Sequence, residues 1–216
     1  MKKEIFINES MGETRIAIQE DGQIVEVYIE RQDKQRMVGN IYKGKVENVL
    51  PGMQAAFVDI GYELNAILPF SEIANPDYII EDESELNQKR KSKPDNIEVD
   101  LQTNQEIYVQ VIKEPFAGKG PRVTTEVALP GRLLVLVPYE NYIGISKKIW
   151  DKFERRRLKK IAKGLRQKDT GIIIRTVAEG KSEEHIVNDF KSLLNSWNKV
   201  SKIADKEDAP ALVYED

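Results

Sequence analysis

Apart from two polar stretches, the chain from Glu4 to Ser146 is written in short runs of β-branched or alternating apolar residues, each broken by a turn pair. Runs of this length cannot be helices, so the first two thirds of the chain must fold as closely spaced strands. EIFIN, TRIAIQ and IVEVYIE, separated by Met11-Gly12-Glu13 and Asp21-Gly22-Gln23, predict an opening β-meander over Glu4 to Ile29. After a polar joint at Arg31 to Arg36 come NIYKGKVENVL, QAAFVDIG and NAILPF, with Pro51-Gly52 and Gly61-Tyr62 as turns. These predict the hairpins of a small barrel. The stretch from Asn75 to Asp100 holds two prolines, the acidic cluster Glu81, Asp82, Glu83 and Glu85, and the basic cluster Lys89, Arg90, Lys91 and Lys93, and predicts a surface insertion. Strands resume with EIYVQVIKE, RVTTEVAL, RLLVLVP and YIGIS, interrupted by Gly118-Lys119-Gly120-Pro121 and Pro130-Gly131.

The pattern then changes period. Trp150, Phe153, Leu158, Ile161 and Leu165 recur at helical spacing between Lys147 and Lys168, which predicts a basic amphipathic helix with those residues on its apolar face. Strand GIIIRT follows. Ser182 is the predicted N-cap of a second helix, Glu183 and Glu184 suit the positive end of its dipole, and Ile186, Phe190, Leu193, Leu194, Trp197, Val200 and Ile203 form its apolar stripe. The final ALVYED reads as a strand start with no partner after it, as in a chain cut short.

Composition closes several chemistries. The 216 residues, 40% apolar and 32% charged, suffice for one or two compact units, and no apolar run reaches the ~20 residues that cross a bilayer. MKKEIFINES lacks the apolar core of a signal peptide, so the cytoplasm is the expected compartment and no membrane partner is expected. Without cysteine there is no disulfide framework or Cys-ligated metal, and a single histidine, His185, leaves no His-based metal cluster or Ser-His-Asp triad. Most familiar catalytic chemistries are therefore closed, and no metal site is expected. The net charge is −3, yet Lys147 to Lys168 holds eleven Lys or Arg against Asp151 and Glu154, a local +9 that leaves −12 elsewhere. Such a segment is either a solubilising face or a polyanion surface.

Two candidate sites follow. Alternation in QAAFVDIG turns Ala56, Val58 and Ile60 to one face and Phe57 to the other. With Lys43, Lys45 and the Lys119 loop nearby, Phe57 either offers a stacking platform to single-stranded nucleic acid or packs under a loop. Arg175-Thr176 ends the apolar strand Ile172-Ile173-Ile174 before the Gly180 loop. A guanidinium fork and a hydroxyl there suit a phosphate, while the plainer alternative is a solvated or ion-paired arginine. His185 is expected on the surface.

Taken together, IYKGKVENVLPGMQAAFVDIGYELNAILPFSEI, KGPRVTTEVALPGRLLVLVP, GISKKI and GIIIRTVAEGKSEE resemble the amino-terminal region of the bacterial ribonuclease E/G family, from Ile5 to the end of the chain, and the compact chain points to the ribonuclease G type. The resemblance implies an α+β fold: an S1-type OB-fold barrel (residues 39–127, with the insertion at 75–100) inserted in a partial RNase H-like subdomain (1–38), then a 5′-sensor region (128–180), and a helix that starts the returning RNase H-like part (181–216). It implies that Phe57 and Lys119 contact RNA, with Ile67 where many members carry a second aromatic. It also implies that Arg175 and Thr176 grip a 5′-monophosphate, with backbone contacts from Gly131 and Val135, and that Lys147 stands in for an arginine, keeping charge without the fork. Members cleave single-stranded RNA in RNA processing and decay. Their Mg²⁺ is held by aspartates of a following DNase I-like domain and their subunits are joined beyond it, so the resemblance implies Mg²⁺ and homo-oligomers for the longer protein. It implies neither, and no catalytic residue, for these residues alone. The competing expectation is a stand-alone regulatory module that binds single-stranded RNA.

Overall fold

The computed structural model describes residues 2–31, 36–73 and 100–216. Most of the expected 75–100 insertion and of the Arg31 to Arg36 joint lies outside them. The chain divides into two compact units, residues 1–37 and 38–216.

The first unit is the expected meander: β1 (Lys3–Ser10), β2 (Glu13–Glu20) and β3 (Gln23–Arg31), antiparallel in the order β1-β2-β3. Its turns carry the left-handed residues Gly12 and, in the second turn, Asp21 and Gly22, as tight hairpins require.

The second unit opens with a barrel. β4 (Ile41–Leu50), β5 (Ala55–Asp59), β6 (Ala66–Pro69), β7 (Glu106–Lys113) and β8 (Arg122–Thr124) run in the order β4-β5-β6-β8-β7, and a β4–β7 pairing closes the ring. Closure removes the exposed strand edges an open sheet would leave. Val46, Ala56, Val58, Ala66, Leu68, Val109, Val111 and Val123 are buried on the inward-facing positions, and Ala55, Gln110 and Thr124 beside them are buried too.

Then follow β9 (Leu129–Pro130), β10 (Leu134–Pro138), β11 (Ile143–Ile145), α1 (Lys152–Leu165), β12 (Thr170–Ile174), α2 (Glu183–Ala204) and β13 (Ala211–Tyr214). A four-stranded sheet of order β11-β12-β10-β9 carries α1 against β11 and β12 and α2 against β9 and β10, and α2 also packs on β13, which belongs to the barrel's sheet. One core joins this layer to the barrel: Leu134, Leu136, Ile172, Ile174, Leu158, Ile186 and Phe190 share a buried cluster with Ile41 of β4. Tyr108 of β7, Tyr139 after β10 and Trp197 of α2 meet at the same joint, with ring centroids 5.7–6.2 Å apart.

ALVYED reads as a strand start with no partner after it, and its partner lies upstream: β13 pairs antiparallel with β4 (Ala211 with Lys43). One edge of β4 is taken by β7 along residues 41–45, so β13 and β5 lie end to end along the other, with the register shift between Val46 and Asn48 close to where they meet. One expectation is corrected: Trp150 and Phe153 do not join the apolar face of α1. They are 86% and 78% exposed, while Leu158, Ile161 and Ala162 fill the core. The helix starts at Lys152 with Asp151 as its cap, which leaves Trp150 outside the helix and Phe153 in its first turn, on the side away from Leu158.

Candidate nucleic-acid interface

The barrel's outer face assembles the first set of residues. Ala56 and Val58 point inward, which places Phe57 on the outer face, half-buried, directly across from Ile67 of β6. Ile67 in turn neighbours Arg122 of β8, and its N–H donates to the Pro121 carbonyl at 2.8 Å. The segment entering β8 begins with a tight hairpin: Phe116 and Lys119 exchange two backbone hydrogen bonds, and Ala117 and Gly118 between them both have positive φ, the geometry of a type I′ turn. Gly120 then backs onto the β5–β6 turn so closely that a Cβ there would stand 2.0 Å from the Asn65 carbonyl oxygen. Lys119 is thereby held, exposed, in the hairpin whose next residues, Gly120 and Pro121, back onto Asn65 and bond Ile67.

Lys43 and Lys45 share this outer face but differ in what they can do. The Lys43 ammonium pairs with Glu106 at 2.9 Å and donates to the Glu207 carbonyl at 3.0 Å, and its side chain is 18% exposed. Bonding to Glu106 raises the Lys43 pKa and lowers that of Glu106. Lys45 lies opposite Glu106 in the β4–β7 ladder and its charge helps lower the Glu106 pKa, but among the described residues it forms no close ion pair, so of the two it is the cation less committed to a carboxylate.

The second set meets where β12 ends. The Arg175 N–H donates to the Leu133 carbonyl at 2.9 Å, fixing its backbone, and its guanidinium donates from Nη1 to the Gly131 carbonyl while the side chain stays exposed. The Thr176 hydroxyl lies 2.8 Å from that of Ser146, the residue after β11. Gly131 is fully committed: its N–H donates to the Leu134 carbonyl at 2.8 Å and its carbonyl holds Arg175. Gly131 thus acts by aiming the guanidinium. Val135 lies half-buried in β10 between β9 and β12, and Lys147 follows Ser146, exposed.

Three supporting residues escaped the sequence reading. Asp189 accepts from the backbone N–H groups of Arg132, Leu133 and Leu134 at 3.3, 2.8 and 3.1 Å, pinning the Gly131 turn to α2. The available signal was an acid three residues after Ile186, within the apolar stripe. Ser146 links β11 to Thr176. Glu154 of α1 binds Arg157 through both oxygens at 2.7 Å and accepts from the Gly180 N–H at 2.9 Å, anchoring the loop after Thr176.

Hydrogen bonds from Arg157 and Gly180 hold the Glu154 carboxyl down from 4.5 to about 2. A depressed acid stabilises the fold above its unfolded pKa, and that stability is lost as pH falls through the folded one. The Glu154 side chain is 15% exposed, so after allowance for screening about 2 kcal/mol is at stake. Glu154→Gln should therefore be less stable than the parent at pH 7 by about this amount, with the difference closing between pH 4.5 and 2 in urea unfolding. A difference independent of pH would show that the anchor does not depend on charge.

Among the described residues no group of three or more His, Cys, Asp or Glu is placed to hold a metal ion, and no helix is long and apolar enough to cross a membrane. His185 lies on the surface, its ring 2.9 Å from the Ser182 cap hydroxyl.

Comparison with known proteins matches both halves of the second unit. Residues 36–124 match the S1 RNA binding domain, and residues 128–216 match the Ribonuclease E/G family. The chain is 41% identical over 211 residues to a Ribonuclease G of Haemophilus influenzae, covering 98% of this chain and 42% of that protein. It is 41% identical to the Escherichia coli K12 Ribonuclease G (93% of this chain, 40% of that protein) and 38% identical to a Ribonuclease E of Nostoc (94% and 29%). The chain thus spans about two fifths of the length of the Ribonuclease G relatives. A closed five-stranded barrel with the S1 match, followed by a helix-covered sheet with the ribonuclease match, shows that the chain belongs to the ribonuclease E/G family.

Proposed function

We propose that the chain is the RNA-grasping and 5′-end-reading part of a single-strand-specific endoribonuclease that processes and degrades RNA in the cytoplasm. The observation that carries this is the Arg175–Thr176 corner. One guanidinium N–H is spent on Gly131 and the side chain stays exposed, so the rest of the fork, beside a hydroxyl, remains for an anion. A terminal monophosphate has more charge and more acceptor oxygens than an internal phosphodiester, and such a corner favours it. Phe57, Ile67, Lys119 and Lys45 take the body of the strand. Cleavage, its Mg²⁺ and the homo-oligomer belong to a longer protein of which these residues are one part.

The experiment is comparative binding of one RNA oligomer carrying a 5′-phosphate or a 5′-hydroxyl. Tighter binding of the phosphorylated form is expected, and equal affinities would overturn the end-reading assignment. In the same assay Phe57→Ala should weaken both forms alike, by about 1–3 kcal/mol, the range for a lost stacking platform. Its melting temperature should stay near the parent's, because Phe57 faces away from the barrel core. A large drop in melting temperature with affinity intact would make Phe57 a packing residue.

A further inference from the structure

The exposed rings of Trp150 and Phe153 have no role in the sites above. An apolar residue just before a helix cap ordinarily packs against the fourth helical residue. Here that residue is Arg155, whose guanidinium donates to the carbonyls of Ser146 and Ile149 at 2.8 and 3.3 Å, so Trp150 has no apolar partner there and stays in solvent. Phe153, Arg156, Lys160 and Lys163 fall on one exposed stripe of α1, at i, i+3, i+7 and i+10. Among the described residues none of these three cations, nor Lys147 or Lys148 beside Trp150, has an ion-pair partner.

We propose that Trp150, Phe153 and this basic stripe form a second platform for single-stranded RNA, where bases stack on the rings and phosphates follow the cations. Placement supports it: the Ser146 N–H donates to the Ile174 carbonyl at 2.9 Å and its hydroxyl meets Thr176, so the segment leading to Trp150 starts at the Arg175–Thr176 corner. Charge selects the occupant. A second copy would bring its own +9 segment against this one. A bilayer would need the aliphatic residues of α1, and Leu158, Ile161 and Ala162 are committed to the core. Single-stranded RNA supplies both anions and flat apolar faces. The inference rests on the chain's binding RNA and does not require that the corner take a phosphate.

Trp150 is its own reporter, since Trp197→Phe leaves a single tryptophan. Titration with a 5′-phosphorylated single-stranded RNA decamer should quench Trp150 saturably, while inorganic polyphosphate should not. The double variant Trp150→Ala, Phe153→Ala should bind the decamer about tenfold more weakly with an unchanged salt slope, since rings and not charges are removed. Circular dichroism matching the parent's establishes that α1 is intact. Unchanged affinity in the double variant, with Phe57→Ala still weakened, would overturn the second platform and leave the barrel surface standing. No binding by the parent would remove RNA from both readings. Self-association of the parent that the double variant abolishes would assign the rings to a protein contact and overturn the proposal.

Discussion

Arg175→Ala is expected to abolish the preference for 5′-phosphorylated RNA and to leave affinity for 5′-hydroxyl RNA nearly unchanged. Hydrogen bonds to charged groups contribute about 1.5–3 kcal/mol each, so losing the fork should cost the phosphorylated form about ten- to a hundredfold. The 5′-hydroxyl oligomer makes no such contact and has nothing to lose. Arg175→Lys should recover only part of the preference, because a point charge cannot both reach Gly131 and present two parallel donors. Equal losses for both RNA forms would make Arg175 a general backbone contact. A lowered melting temperature in Arg175→Ala would show instead that the bond to Gly131 holds the turn together.

Gly120→Ala should be the most disruptive small substitution on the barrel. Its Cβ would stand 2.0 Å from the Asn65 carbonyl oxygen and 3.1 Å from that of Leu64, and both neighbours are backbone that cannot rotate away. Relief requires the Lys119 hairpin to move off the β5–β6 turn, at about 3 kcal/mol, toward the upper end of overpacking costs. RNA affinity should fall with stability, since the Lys119 hairpin loses its backing on Asn65. Gly118→Ala is the control: nothing lies within 4 Å of a Cβ there, and only its positive φ is strained, which costs about 1 kcal/mol. Urea unfolding that ranks the two variants in the opposite order would contradict the close approach at Gly120.

The strands were legible because alternation is local: Ala56, Phe57 and Val58 declare their faces without reference to the rest of the chain. The helix capped by Ser182 was legible for the same reason. Trp150 and Phe153 were misassigned because helical spacing counts from wherever the helix starts, and the cap at Asp151 puts Trp150 outside it. The partner of β13 could not be read because β4 lies so far upstream and neither segment names the other. Site legibility followed the same division. Arg175 and Thr176 stand out as a pair, but the residues that aim them, Gly131, Ser146 and Asp189, come from other elements and signal little individually. Lys43 looked free for RNA, since a cation's partner, here Glu106 on the neighbouring strand, is a fact of register.

The pairing of β13 with β4 also sets the order in which the second unit can be completed. The Asp216 N–H bonds the Asn40 side chain across 176 residues of sequence, and the helix-covered sheet is threaded between the two ends of that contact. Contacts so distant form late, because loop-closure entropy must be overcome before they reward the chain. During synthesis the first half of β4 has one edge vacant until residues 211–214 emerge. A nascent chain stalled near Glu207 would therefore carry an open strand edge able to pair with another chain. The barrel and the sheet that follows it carry two candidate surfaces but complete one assembly step.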